Sequence, residues 1–373
     1  MKRCNMNVEN WIRGGVLCAM VALVGCDSGP VISTVQPTES EVLAAWVNQS
    51  AMPSLNRVVA TAEQMNGAIE RLCESPTSET LQQAQSAWVE AYLAWRHAEP
   101  FLVGPAAAMD RQIGNGPVNR IVLDAAVDSE ELAYMLKDSD VRGYAALEHL
   151  LFAPQQVAAV TTPGRSAHLV DLSAEIYTLS VRAKEQVEGD FYRDVIAAGN
   201  GDPYLVPAEA LSLVFGEVLN VTERIMRNRI GEPSGYFRGP TQPLSVEAWE
   251  SGAAQEGLRT AVAGLRLALW GAGEASIITL VATKDGLVEA SNPQLAADLV
   301  KQLNRIQKTI EGLGGASLRL EVELAEHPNT FQRLYKQFQT LQNQLIEASL
   351  VLELDVHQGL LLIAPDAKAP LPK

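Results

Sequence analysis

The sequence predicts an all-α protein built from two packed antiparallel helical bundles, with about four major helices in each. Its composition is rich in Ala, Leu, Gln and Glu, and aromatic residues make up only 6% of the chain, which favours helices over a sandwich or barrel. No stretch of alternating apolar and polar residues between turn signals stands out. Apolar residues instead recur at steps of three and four within long segments separated by Gly and Pro.

Two long helices are predicted in the first part of the chain. The first runs from about 39 to 73, with Pro53 as a kink or break. The second begins after "SPTSET", where Ser78 is a candidate cap, and runs to about 99. Apolar residues at helical spacing predict a buried face on this second helix: Leu81, Ala84, Trp88, Ala91, Tyr92 and Trp95.

The segments before the middle of the chain are shorter. A loop is followed by a helical piece near 128–136, then by "RGYAALEHLLF" with Asp138 or Ser139 as its candidate cap. A further helix is expected at about 165–191.

A domain boundary is predicted at "AAGNGDPYLVP", 197–207, which contains two glycines and two prolines and has no helical period. We therefore expect an N-terminal bundle over 41–200 and a C-terminal bundle over 201–373. The helices predicted in the second bundle are 207–230, 245–271, 293–313 and 328–356. The last has an especially regular apolar stripe: Phe331, Leu334, Tyr335, Phe338, Leu341, Leu345 and Leu352.

The N-terminus has the pattern of an export signal. Basic residues precede a short apolar run, and "LVGC" resembles the cleavage box of bacterial lipoproteins. We expect residues 1–25 to be a lipoprotein signal peptide, Cys26 to carry lipid and residues 26–40 to be a flexible tether. The alternatives are a plain signal peptide or a short anchor. The expected location is the periplasmic side of the bacterial envelope, with the inner or outer membrane left open.

Loss of the signal and lipidation of Cys26 leave Cys73 as the remaining free cysteine, so an intrachain disulfide is not expected. The formal net charge of −15 excludes a nucleic-acid partner, because phosphate contacts require clustered Lys and Arg. This charge is typical of a solvated surface, and the alternative is a surface that concentrates cations.

Familiar enzyme motifs are absent from the sequence, including the nucleophile elbow, the phosphate loop and H-E-x-x-H. Two pairs of neighbouring residues are candidate sites. His168 and Asp171 share a helix face, where a solvated surface is the expectation and a metal pair the alternative. His97 and Glu99 lie at a helix end, where an imidazolium would cap the C-terminus.

The stretch "RGYAALEHLLF" carries the strongest site signal, because it places Glu148 among apolar residues. A buried carboxylate needs a partner or must take up a proton. The candidate partners are a backbone amide, a bound cation or a basic residue: Arg142, Arg96, Arg111 or Arg120. His149 is about 100° further round the helix and does not face Glu148. A structural ion pair is the expected role of Glu148, and a ligand-binding or catalytic role is the alternative.

Several segments resemble the imelysin family, also called the M75 peptidase family, in the same order along the chain. They are "AWVEAYLAWRHAEPFLVGP" (87–105), "NRIVLD" (119–124), "GYAALEHLLF" (143–152) and "LDVHQGLLLIAPD" (354–366). The third matches the family motif G-x-H-x-x-E. The resemblance implies two helical bundles, export from the cell, and a role in iron or haem uptake or in metallopeptidase chemistry.

The motif implies a metal site, for which Glu148 is the matching ligand and iron or another divalent cation the candidate cofactor. At the motif histidine the chain has Ala145, which offers no ligand atom. No catalytic residue is assigned. The candidate site residues are Glu148, Arg142, Tyr144, His149, Arg96, Trp95 and Asp124.

We therefore expect a lipoprotein that binds a ligand or a partner in iron-related uptake, with the membrane and envelope uptake proteins as its partners. An enzyme is less expected. The alternatives are a metallopeptidase that uses Glu148 with ligands from elsewhere, and a structural partner-binding module.

Overall fold

The computed structural model describes residues 36–114, 118–129, 141–154, 156–201, 203–237, 239–271, 273–285, 294–313 and 319–356. All of them belong to one compact unit, Ile32–Lys373. The all-α prediction is confirmed, and the described residues contain no strand. Within these residues, no helix is long and apolar enough to cross a membrane. The predicted signal peptide and Cys26 lie outside the described residues.

The helices of the first half are α1 (Glu39–Ala45), α2 (Met52–Glu74), α3 (Ser78–Ala98), α4 (Ala107–Ile113), α5 (Arg120–Val127), α6 (Gly143–Phe152), α7 (Val157–Val160), α8 (Pro163–Gln186) and α9 (Tyr192–Ile196). A π-helical segment, Trp46–Ala51, joins α1 to α2, so Pro53 lies in the first turn of α2 and does not break the helix. Thr77, rather than Ser78, caps α3. The predicted piece at 128–136 falls almost wholly outside the described residues. The candidate caps of α6, Asp138 and Ser139, are wrong, because its N-cap residue is Arg142.

The helices of the second half are α10 (Pro207–Arg224), α11 (Ala254–Trp270), α12 (Ile277–Asp285), α13 (Leu295–Glu311), α14 (Leu320–Glu326) and α15 (Pro328–Val351). A second π-helical segment, Ile225–Gly231, continues α10. The predicted start of α11 at 245 is wrong. Ala248 has a φ of 56°, which no right-handed helix accommodates, and residues 246–253 form a turn instead.

The core is formed by the apolar stripes that the sequence predicted. All the residues of the two predicted apolar stripes, from Leu81 to Trp95 on α3 and from Phe331 to Leu352 at α15, are buried. In the first half α2 packs against α3 and α8, and in the second half α13 packs against α15. The predicted division between the bundles at residue 200 stays a prediction, because helices from both sides pack within one compact unit.

The two halves are joined most closely where α11 crosses α3. A Cβ atom at Gly264 would lie 2.2 Å from the carbonyl oxygen of His97, and one at Gly257 would lie 2.6 Å from the hydroxyl oxygen of Tyr92. Glycine at both positions therefore lets the α11 backbone approach α3 closely. This contact fixes the C-terminal end of α3, which carries Arg96, against the second half.

Candidate functional site

The motif helix α6 is held in place by backbone contacts. Gly143, at its start, has a φ of 75°, and a Cβ atom there would lie 2.4 Å from the carbonyl oxygen of Ile113. The indole nitrogen of Trp88 donates a 3.1 Å hydrogen bond to the carbonyl oxygen of Tyr144. The side-chain amide of Gln85 donates to the carbonyl oxygen of Leu151 at 2.9 Å. These contacts fix the direction in which Glu148 points.

Glu148 is buried, with 3% of its surface exposed. Its Oε1 accepts a 2.7 Å hydrogen bond from the backbone N–H of Ser251. Ser251 belongs to the segment Val246–Gly252, here named the acidic turn because it carries Glu247 and Glu250. Among the described residues Glu148 forms no ion pair, so the expected structural ion pair is wrong and the backbone amide is the observed partner.

The environment of Glu148 disfavours its charged form. Burial raises its pKa to about 7, and Glu250 and Glu247 add to this effect, while the hydrogen bonding from Ser251 lowers it. The carboxyl of Glu148 therefore titrates near neutrality. A buried carboxyl with such a pKa can exchange a proton with a ligand at physiological pH.

His149 points to a different pair of carboxylates. Its Nδ1 is 2.9 Å from Glu250 Oε1, and its Nε2 is 3.1 Å from Asp124 Oδ2. Burial lowers the pKa of His149, but Glu250 and Asp124 overcome this effect and raise it. Because both ring nitrogens face carboxylate oxygens, the imidazolium form, which donates from both, suits the geometry. Arg120 donates to Glu250 at 3.1 Å, and Arg165 pairs with Asp124.

A closed ring of four charges lies beside Glu148, here named the buried ionic ring. Arg96 binds Glu99 and Glu247, and Arg229 binds the same two carboxylates. Glu99 is completely buried, and two hydrogen bonds join its carboxylate to the guanidinium of Arg229. Burial opposes the ionisation of Glu99, but Arg229 and Arg96 lower its pKa to about 2.

Besides the group around His149 and the buried ionic ring, a third group of charged residues lies between the ring and α10. Arg224 binds Glu217 at 2.9 Å and lies 3.5 Å from Asp110. Asp110 also accepts a 3.0 Å hydrogen bond from the indole nitrogen of Trp95. Burial raises the pKa of Glu217 although Arg224 opposes this effect. The three groups together form a charged layer between helices of both halves.

The structure brings together Glu148, His149, Asp124 and Arg96, and it places Trp95 at the edge of the same layer. Arg142 instead occupies the N-cap position of α6, and its side chain pairs with Glu175, so it is not the partner of Glu148. Tyr144 is buried in an aromatic cluster with Trp88 and Tyr92, and its hydroxyl has no hydrogen-bond partner among the described residues. The side chain of Arg111 lies outside the described residues.

The two pairs His168–Asp171 and His97–Glu99 do not have the roles expected from the sequence. His168 is buried rather than solvated, while Asp171 is exposed. Burial lowers the pKa of His97, and the nearby Arg57 lowers it further, which disfavours an imidazolium cap. Glu99, two residues on, enters the buried ionic ring instead.

Sequence reasoning missed the acidic turn and Arg229. The turn is separated from Glu148 by 103 residues, so no local period connects them. The available signal was "VEAWES", which places two glutamates three residues apart within a segment predicted as helix.

The described side chains do not fit a motif metal. Ala145 offers no ligand atom, and both nitrogens of the nearby His149 face carboxylates. In the parts of the chain that the structure describes, no group of three His, Cys, Asp or Glu side chains is placed to hold an ion. Whether Glu148 binds a metal with ligands from outside these residues stays a prediction.

The titration of Glu148 predicts a pH-dependent stability difference between the wild type and Glu148→Gln. The unfolded carboxyl releases its proton near 4.5, whereas the folded one keeps it up to about 7. Rising pH therefore destabilises the folded wild type across this window, by about 3 kcal/mol in total. Glutamine cannot ionise, so we expect the stability of the variant relative to wild type to rise by that amount.

Urea unfolding of both proteins at several pH values measures this difference. Glu79→Gln is the matched control, because Glu79 is an exposed residue of α3. If the free energy of unfolding changes with pH in the same way for wild type and Glu148→Gln between pH 4.5 and above 7, Glu148 ionises normally in the folded protein.

Comparisons with known proteins agree on one family. The family model described as imelysin, Peptidase_M75, matches residues 51–345. The chain is 28% identical to iron-regulated protein A of Synechococcus elongatus over 228 residues, which is 59% of this chain and 61% of that relative. The match thus spans less than two thirds of the relative's length.

Two solved structures share the fold. An iron-regulated protein A precursor from Parabacteroides distasonis has a TM-score of 0.70 at 18% identity, over 86% of this chain and 97% of that one. An imelysin-like protein from Psychrobacter arcticus has a TM-score of 0.60 at 15% identity, over 87% of this chain and 99% of that one. At these identities the likeness shows the fold alone.

Proposed function

We propose, because the chain belongs to the imelysin family, that it is an exported bacterial lipoprotein that binds a ligand or a partner in iron- or haem-related uptake at the cell envelope. In this proposal Cys26 carries the lipid and the tether between Cys26 and α1 positions the helical unit near the membrane. The name of the cyanobacterial relative, iron-regulated protein A, supports the connection to iron.

One observation carries the choice of binding over hydrolysis. Glu148, which matches the motif glutamate, accepts a hydrogen bond from a backbone amide and lies near the carboxylates of Glu247 and Glu250, and within the described residues no group of three His, Cys, Asp or Glu side chains is placed to hold an ion. A hydrolytic metal site usually has three protein ligands and an open position for water. A buried, proton-exchanging carboxyl between two halves of a protein is instead well suited to respond to a bound ligand.

Titration calorimetry of the purified chain with ferric iron and with haem, together with its metal content, tests the proposal. We expect heat of binding in the wild type and an affinity at least about tenfold weaker in Glu148→Ala, because a contact worth roughly 1.4 kcal/mol or more is lost. Glu79→Ala, at an exposed acid, is the control and is expected to bind like the wild type. No metal and no heat in any of the three proteins would reject the binding role.

A metallopeptidase is the second candidate, and the peptidase name of the family model favours it. The raised pKa of Glu148 would also suit a general base near neutral pH. This candidate requires proteolysis that a chelator abolishes and that is lost in Glu148→Ala. Proteolysis that survives the substitution would exclude Glu148 as its catalytic residue.

A further inference from the structure

The acidic turn places two carboxylates into two separate cationic clamps. Glu247 lies between the guanidinium groups of Arg96, on α3, and Arg229, on the π-helical segment after α10. Glu250 lies between the ring of His149, on α6, and Arg120, on α5. The groups that bind the turn thus come from four different elements.

Without the turn, the two clamps and the groups that contact them would keep four guanidinium groups: Arg96, Arg229, Arg120 and Arg165. Three carboxylates oppose them: Glu99, Asp124 and Glu148. With His149 counted as neutral, as in the chain's net charge of −15, the formal charge at the clamps is +1. The adjacent group of Arg224, Asp110 and Glu217 contributes −1, so the excess positive charge is confined to the clamps themselves.

The turn is held by side-chain charges more than by regular structure. It lies between a short 3-10 helix, Pro243–Ser245, and the start of α11. Ala248 is held at a φ of 56°, a conformation that side chains other than glycine rarely adopt and that is concentrated at clamps and switches. The side chain of Glu250 is only 6% exposed, and among the described residues its Oε2 has no hydrogen-bond partner. The fit of Glu250 in its clamp is therefore incomplete.

We propose that the acidic turn is an internal occupant of an anion site, and that the external ligand of this site is a small di- or tricarboxylate. Guanidinium groups are the side chains best suited to bind carboxylates. In the turn, each carboxylate oxygen of Glu247 faces one guanidinium group, and Glu250 contacts Arg120 through Oε1. Two clamps whose resident carboxylates are three residues apart match a molecule that carries at least two such groups. This inference names the ligand class for the binding role proposed above and rests on it.

Hydrogen exchange of the full wild-type chain, with and without millimolar tricarballylate, tests the displacement. We expect the amides of 246–252 to lose protection about tenfold or more when the ligand takes their place, while the amides of α2 do not change. Acetate, with one carboxylate, is the matched control and is expected to have no effect. Unchanged protection of the turn in tricarballylate overturns the proposal.

The variant Glu247→Ala/Glu250→Ala provides a second measurement. We expect it to bind tricarballylate at least about tenfold more tightly than the wild type, because its turn no longer competes. Equal or weaker binding would contradict the proposal, and so would displacement of the turn only by an acidic peptide. No iron or haem is present in either experiment, so failure here leaves the iron-related role to be judged by its own titration.

Discussion

Replacement of Glu99 by alanine is expected to destabilise the fold by about 3–5 kcal/mol, because it leaves the buried Arg96 and the largely buried Arg229 short of a counter-charge. Glu99 is completely buried and binds both Arg96 and Arg229. In the variant Glu247 alone would have to balance both cations. The loss would affect both halves of the protein, since Arg96 belongs to α3 and Arg229 follows α10.

Urea unfolding of Glu99→Ala and wild type at neutral pH measures this effect. The control is Glu256→Ala, which removes an exposed partner of Arg259 on α11. Exposed pairs of this kind contribute about 0–1 kcal/mol. If the two variants lose similar amounts of stability, the buried ionic ring does not hold the two halves together.

Replacement of Gly143 by alanine is expected to cost about 2–4 kcal/mol, because two effects combine at the start of the motif helix. The φ of 75° is unfavourable for any residue with a Cβ atom. The added methyl group would also lie 2.4 Å from the carbonyl oxygen of Ile113, so the backbone would have to move. Glycine in this motif therefore sets the position of α6 and, through it, the direction of Glu148.

Thermal and urea unfolding of Gly143→Ala test this role, with Gly67→Ala as the control. Gly67 lies inside α2, and a Cβ atom there meets only the end of the Arg71 side chain, at an ordinary 3.4 Å. Alanine is the better helix former, so the control is expected to gain up to about 1 kcal/mol. A Gly143→Ala protein as stable as wild type would mean that the close contact with Ile113 is not present in solution.

Helices with regular apolar stripes could be predicted from the sequence. The face of α3 from Leu81 to Trp95 and the stripe of α15 are both buried, because burial of one helix face is a local property of spacing. The predicted helix over 207–230 corresponds to α10 together with the π-helical segment Ile225–Gly231 that continues it. Six short helices were missed, since a few turns leave too little period to detect: α4, which lies in the predicted loop "AAAMDRQIGNGP", and α5, α7, α9, α12 and α14.

The start of α11 and the partner of Glu148 could not be predicted in this way. Residues 245–253 are compatible with a helix by composition, and only the contacts of Glu247 and Glu250 with the first half favour a turn. The sequence showed that Glu148 needed a partner, but it could not rank an arginine against a backbone amide 103 residues away. Long-range charge pairing leaves no periodic signal in a single sequence.

The exchange of the motif histidine for Ala145 distinguishes this chain from the pattern of its family. With no imidazole beside it, the Glu148 carboxyl is satisfied by the Ser251 amide and by a proton. Burial is the main reason why the charged form of Glu148 is disfavoured, and Glu250 and Glu247, in the same acidic turn that provides the amide, add to this effect.

Difference infrared spectroscopy between wild type and Glu148→Gln across a pH series measures the protonation of Glu148 most directly. A protonated-carboxyl band that the variant lacks is expected in the wild type, and it should disappear with a midpoint at about 7. A midpoint at or below the ordinary value of 4.5 would show that Glu148 is ionised at neutral pH, and would contradict a carboxyl held by an amide and a proton.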